Sequence, residues 1–113
     1  GTSPLHLASC RGHVGVVHEL LVAGADATRG DQFGFSALHL AARHGFPDVI
    51  TELLTHSAVL VNLRDESGET AMHTAARYAK TVCLARLLEF GGDVTVESKS
   101  GRRAVDVVGQ GQD

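Results

Sequence analysis

The sequence predicts an all-α fold: a short solenoid of stacked helix-turn-helix pairs, three repeats plus a truncated fourth. Three observations carry this. The stretch Gly34–Gly45, Gly-Phe-Ser-Ala-Leu-His-Leu-Ala-Ala-Arg-His-Gly, has near copies on both sides, and their first glycines, Gly1, Gly34, Gly68 and Gly101, stand 33, 34 and 33 residues apart. A fixed period in this range marks units that bury their apolar faces only by stacking on neighbours like themselves. A second block recurs in phase with the first, Gly12–Leu21 aligning with Gly45–Leu54 and Ala79–Leu88. Within the blocks the apolar residues fall at helical spacing.

After each leading glycine the pattern reads Thr2-Ser3-Pro4-Leu5-His6-Leu7-Ala8, Phe35-Ser36-Ala37-Leu38-His39-Leu40-Ala41, Glu69-Thr70-Ala71-Met72-His73-Thr74-Ala75 and, degraded, Arg102-Arg103-Ala104-Val105-Asp106-Val107-Val108. This resembles the ankyrin repeat, whose period and T-P-L-H-x-A core these copies share. The resemblance covers residues 1–108, in repeats of about 1–30, 31–64 and 65–97 and a half repeat 98–108. Residues 109–113 are left as a flexible tail. The resemblance implies a solenoid with projecting hairpin loops. The hairpin arm that would precede Gly1 in that family is absent, so the chain reads as a fragment.

The elements follow in order. Ser3-Pro4 is an N-cap and first helical residue: the hydroxyl satisfies an orphan N–H, and proline occupies a position that needs no donor. Leu5, Ala8 and Ser9 form the buried stripe of a first helix, and Gly12 supplies the reversal. Ala8, Ala41, Ala42, Ala75 and Ala76 are small enough to let repeats approach closely. Val16, Val17, Leu20 and Leu21 predict an outer helix, ended by Gly24 in a positive-φ conformation. Asp31–Gly34, Asp65–Gly68 and Ser98–Gly101 are turn sequences, resembling hairpin tips. Pro47-Asp48 opens the second outer helix, with Val49, Ile50, Leu53 and Leu54 as its core face. The segment 57–62 carries the extra residue of repeat two and must bulge. Ser57 stands where the other repeats have glycine, which predicts a strained positive φ. Repeat three has Ala79 in place of the inter-helix glycine, with Val82, Leu84, Leu87 and Leu88 as its apolar surface. The fourth copy stops after one helix, whose Val105, Val107 and Val108 are expected to cover the open end.

Composition narrows the function classes. The chain has 113 residues, 43% hydrophobic and 20% charged, ordinary for one globular domain. No run approaches the roughly 18 apolar residues of a membrane span, so no membrane insertion is expected. The net charge of −3 gives no reason to expect nucleic acid. Cys10 and Cys83 fall two stacking steps apart, too far to bridge, so two unpaired thiols place the chain in a reducing compartment, cytoplasmic or nuclear. His6, His39 and His73 recur once per repeat, roughly 10 Å apart, and cannot share one ion. They brace turns. No cofactor, metal or catalytic residue is predicted.

The binding residues come from the resemblance. Hairpin tips and the last two residues of each inner helix line the concave surface that ankyrin arrays present to partners. Here those are Cys10, Arg11, Gln32, Phe33, Phe35, Arg43, His44, Glu66, Ser67, Glu69, Arg77, Tyr78, Lys99, Ser100 and Arg102. Three of the five aromatics, Phe33, Phe35 and Tyr78, fall there, and interfaces are enriched in aromatics and arginine. Two bland alternatives stand beside this. The phenylalanines pack on a neighbouring tip, or Arg43 and Arg77 pair with Glu66 and Glu69. The resulting expectation is a non-catalytic module, monomeric as a fragment, that binds a protein or peptide. The alternative is a regulatory or scaffolding segment of a larger enzyme making contacts within its own chain.

Overall fold

In a computed structural model, which describes residues 2–111, six α-helices form two layers. The inner layer holds α1 (Pro4–Cys10), α3 (Ala37–His44) and α5 (Ala71–Arg77); the outer holds α2 (Val14–Val22), α4 (Pro47–His56) and α6 (Thr81–Glu89). Each helix packs on its equivalent in the next repeat, α1 on α3 on α5 and α2 on α4 on α6. Among the described residues there is no strand, and no helix is long and apolar enough to cross a membrane. The array measures 37 × 26 × 26 Å.

The inner helices start alike for one reason. Ser3, Ser36 and Thr70 are extended N-caps, and the histidine three residues on occupies the place of the acidic member of a capping box. His39 Nδ1 accepts from the Ser36 N–H at 3.3 Å and lies 2.8 Å from its Oγ. Its Nε2 donates to the Glu69 carbonyl at 2.8 Å, in the next hairpin. His6 reaches the Arg29 and Phe35 carbonyls, and His73 the Arg102 carbonyl. A carbonyl only accepts, so Nε2 is the donor, while Nδ1 of each ring accepts the N–H of its N-cap residue. These histidines therefore brace turns, and they also join each repeat to the next.

Several sequence expectations are corrected by position in the stack. Val49, Ile50, Leu53 and Leu54 are buried, as are Val17 and Leu21, but Val16 is 52% exposed. In α6 Leu87 and the unanticipated Cys83 are buried, whereas Val82 and Leu88 are exposed. The fourth copy makes only a 3-10 turn, Ala104–Val107, in which Ala104 and Val107 cover α5 while Val105 and Val108 face solvent. Ser57 is not strained: it is extended at φ −155°, whereas Gly24 and Gly91 stand at 95° and 90°. The extra residue lets the chain leave α4 through a 3-10 turn, Ala58–Asn62, that buries Leu60 and Val61. The strain falls instead on Ala79, the single non-glycine with positive φ (56°) among the described residues.

At the far end Gly109 donates to the Ala76 carbonyl at 3.0 Å and Gly111 to that of Arg77 at 2.8 Å. A side chain at Gly111 would run into the Tyr78 ring. Of the segment 109–113 that the sequence leaves as a flexible tail, Gln112 and Asp113 lie outside the described residues.

Candidate functional site

The first two hairpin tips are each built by one carboxylate, and the third by a hydroxyl. Asp31 Oδ1 accepts from the N–H groups of Phe33 and Phe35, at 2.9 and 3.0 Å, and the Asp31 N–H returns to the Phe35 carbonyl. Asp65 does the same for Ser67 and Glu69. In the third tip Ser98 Oγ accepts from the Arg102 N–H. A side chain that saturates the turn's own donors fixes how the residues between them project. Phe33 is thereby held out at 57% exposure, with Phe35 half-buried beside it and ring centroids 6.2 Å apart.

Between these tips and the inner helices lie two adjoining cavities. One, of about 310 Å³, is lined by Phe35, His39, Leu40, Arg43, Asp65, Ser67, Glu69, Thr74, Arg77 and Tyr78. The other, of about 450 Å³, is lined by Asp31, Phe33, Phe35, Leu40, Arg43 and His44. Phe35, Leu40 and Arg43 form the ridge common to both. Arg77 pairs with Glu69, which matches one of the bland alternatives for that residue. Arg43 instead lays its guanidinium over the Tyr78 ring, 4.9 Å from the centroid. Burial holds the His39 imidazole below its ordinary pKa, against the opposing pull of its bond to the Glu69 carbonyl and of the carboxylates of Asp65, Glu69 and Asp31. The floor of the groove is thus a neutral ring.

Of the predicted residues, the cavities bring together Phe33, Phe35, Arg43, His44, Glu69, Arg77 and Tyr78, with Ser67. Arg11, Gln32, Glu66, Lys99 and Arg102 line neither; all five are exposed. Glu66 packs under the preceding tip, against Gly34, and Lys99 donates its N–H to the Ser67 carbonyl. The sequence reading missed Leu40 and Thr74. Both stand three residues before the chosen arginine in their helix, so helical spacing puts them on the same face, and that signal was available.

On the opposite face the outer helices expose Val16, Val22, Val82 and Leu88, and polar contacts join successive repeats. His18 Nδ1 lies 2.9 Å from Glu52 Oε2, joining α2 to α4. Arg86 donates to Thr51 Oγ1 at 2.5 Å, joining α6 to α4. Among the described residues no three His, Cys, Asp or Glu side chains gather as a metal site.

The family model of ankyrin repeats, in three copies, matches residues 5–98. The chain belongs to the ankyrin-repeat family. Ankyrin repeats are protein-protein interaction modules and generally non-catalytic. The chain is 40% identical over 103 residues to a nuclear factor NF-kappa-B subunit of Rattus norvegicus, covering 88% of the chain and 11% of that protein. It is 36% identical over 102 residues to the neurogenic locus notch homolog protein 1 of Danio rerio, covering 90% and 3%. It is 38% identical over 86 residues to a probable E3 ubiquitin-protein ligase of Oryza sativa subsp. japonica, covering 76% and 16%. This ankyrin array therefore spans a small part of the length of each of these relatives.

Proposed function

We propose that the array binds a protein or peptide partner along its concave face, with Phe33, Phe35 and Tyr78 as anchors and the arginines of the groove as polar contacts. The observation that carries this is the exposed Phe33. A large ring on a hairpin tip contributes little to the fold when more than half of it faces water, and it lines a cavity that shares Phe35, Leu40 and Arg43 with the neighbouring one, where Arg43 stacks on Tyr78. The outer helices expose valines and Leu88 but no aromatic ring, and polar groups there contact one another across repeats. The module is non-catalytic and acts without nucleic acid or membrane insertion. The array acts as a monomer, and its two free cysteines suit the cytoplasm or nucleus.

The second reading is a contact between this array and another domain of one longer chain. It is favoured by the small share of each relative that the match covers, one of them an E3 ubiquitin-protein ligase by name. Both readings use the same face.

Truncating Phe33, Phe35 or Tyr78 to alanine is expected to weaken a partner recovered with this array by about 1 to 3 kcal/mol each. Charge reversal at Glu19 or Glu52 on the outer helices is expected to change binding by no more than a few tenths of a kcal/mol, roughly, as remote charges do. Calorimetric titration of the purified partner measures both. Loss of binding in the outer-face variants, with the three truncations silent and folded, would place the partner on the other face.

A further inference from the structure

We infer that Arg43 reads a carboxylate: the cavity between the first and second tips takes an aspartate or glutamate side chain of an extended partner segment, whose apolar neighbour lies on Phe35 and Leu40. This rests on the concave-groove reading and adds what the groove recognises.

The chain contains its own template for that contact. Arg43 and Arg77 hold the same place in successive inner helices, and Phe35 and Glu69 hold the same place on successive tips. In repeat three the tip supplies the acid, and the Glu69 carboxylate pairs with Arg77 in a partly buried site. In repeat two the tip supplies a phenyl ring, and Arg43 makes no ion pair among the described residues. The guanidinium is still held in place, because it lies over the Tyr78 ring. Stacking fixes the plane of an arginine while leaving its edge N–H groups to meet an acceptor, and a planar fork matches a carboxylate. The cavity beside it has about 310 Å³ of room. Its remaining acid, Asp65, is committed to its own tip through the Ser67 and Glu69 N–H groups. Repeat three thus shows a carboxylate satisfying this position from within, and repeat two leaves the same position to be satisfied from outside.

Tyr78 is the only tyrosine and the chain has no tryptophan, so intrinsic emission reports on this site alone. The probes are an acetylated, amidated hexapeptide of alternating Glu and Leu and its counterparts with Gln or Lys for Glu, titrated against the whole chain. The Glu peptide is expected to shift Tyr78 emission saturably and to bind roughly tenfold or more tighter than the Gln peptide, the scale of one charge-assisted contact. Arg43→Gln should abolish that preference, whereas Arg29→Gln, away from the groove, should keep it. Phe35→Glu should abolish it too, by placing the acid of repeat three beside Arg43, with unchanged helical circular dichroism showing that the fold survives. Equal response to the Glu and Gln peptides, stronger binding of the Lys peptide, no response to any peptide, or a preference that survives Arg43→Gln would each overturn carboxylate reading. None of these touches the groove itself, which stands or falls on partner binding by the Phe33, Phe35 and Tyr78 truncations.

Discussion

Repeats two and three carry equivalent helices in the same register, yet they bury them differently. In α4 the four apolar positions Val49, Ile50, Leu53 and Leu54 are all 1% exposed or less. At the equivalent positions of α6, Cys83 and Leu87 are buried, Leu84 is half-buried and Leu88 is 48% exposed. Repeat one is the mirror case, with Val17 and Leu21 buried and Val16 exposed. The difference is the number of neighbours. Val49 and Leu53 face the preceding repeat and Ile50 and Leu54 the following one; only the middle repeat has both. In a solenoid a residue's burial is a property of the interface it faces as much as of its own hydrophobicity.

The largest expected effect tests this directly. Leu54→Ala removes a side chain that is 1% exposed between two outer helices and should cost about 2–5 kcal/mol. Leu88→Ala, the same substitution one repeat later, should cost less than about 1 kcal/mol, because much of that side chain is in water in both states. Urea unfolding followed by circular dichroism measures both. Equal losses would mean that the neighbours do not set the difference.

This comparison also separates what the sequence could show from what it could not. The glycine spacing and the recurring histidine are local, so they fixed the helix pairs and their caps. The exposure of Val16 depends on what stands beside α2, which no window of sequence contains. Ser57 was misjudged because the register assigned it a glycine's conformation, while the inserted residue changed the path and removed the need for it. In the groove, Phe33, Phe35, Arg43, Arg77 and Tyr78 were legible from their places in the repeat. That Arg77 is paired while Arg43 stacks on Tyr78 depends on Phe35 standing where repeat three has Glu69, and comparing the repeats with one another would have found it.

A smaller effect comes from the reversal between the two helices of each repeat. Gly45 takes φ 80° freely, whereas Ala79 is held at φ 56° by the packing of α5 on α6. Ala79→Gly should therefore stabilise the chain by about 1 kcal/mol, against the usual direction for such a change in a helical protein. Gly45→Ala should destabilise by a similar amount, about 1 kcal/mol, since its Cβ would meet only the flexible Lys80 side chain. Thermal denaturation of the two variants would show shifts of opposite sign, and a shift of the same sign in both would remove strain as the explanation.

The smallest effect contrasts two histidines at the first two junctions of the stack. His39 is buried and neutral, with its pKa held below 6.5 by burial, so on acidification the unfolded chain takes up this proton before the folded one does. Stability from His39 is full above pH 6.5 and falls as the pH drops below it. His18 is exposed, and its hydrogen bond to Glu52 and that residue's charge raise its pKa above 6.5. Its contribution is present below pH 6.5 and is lost as the pH rises through the raised folded value. The two oppose each other on acidification. Asp26, Asp93 and Asp106 do not enter, because their pKa values lie below the ordinary 3.8, far under this window. Between pH 7 and 5.5, His18→Gln should therefore steepen the loss of stability that the parent chain shows. Melting temperatures of the two proteins across that interval decide it: a shallower loss in His18→Gln would mean that the His18–Glu52 contact does not hold a proton in the folded state.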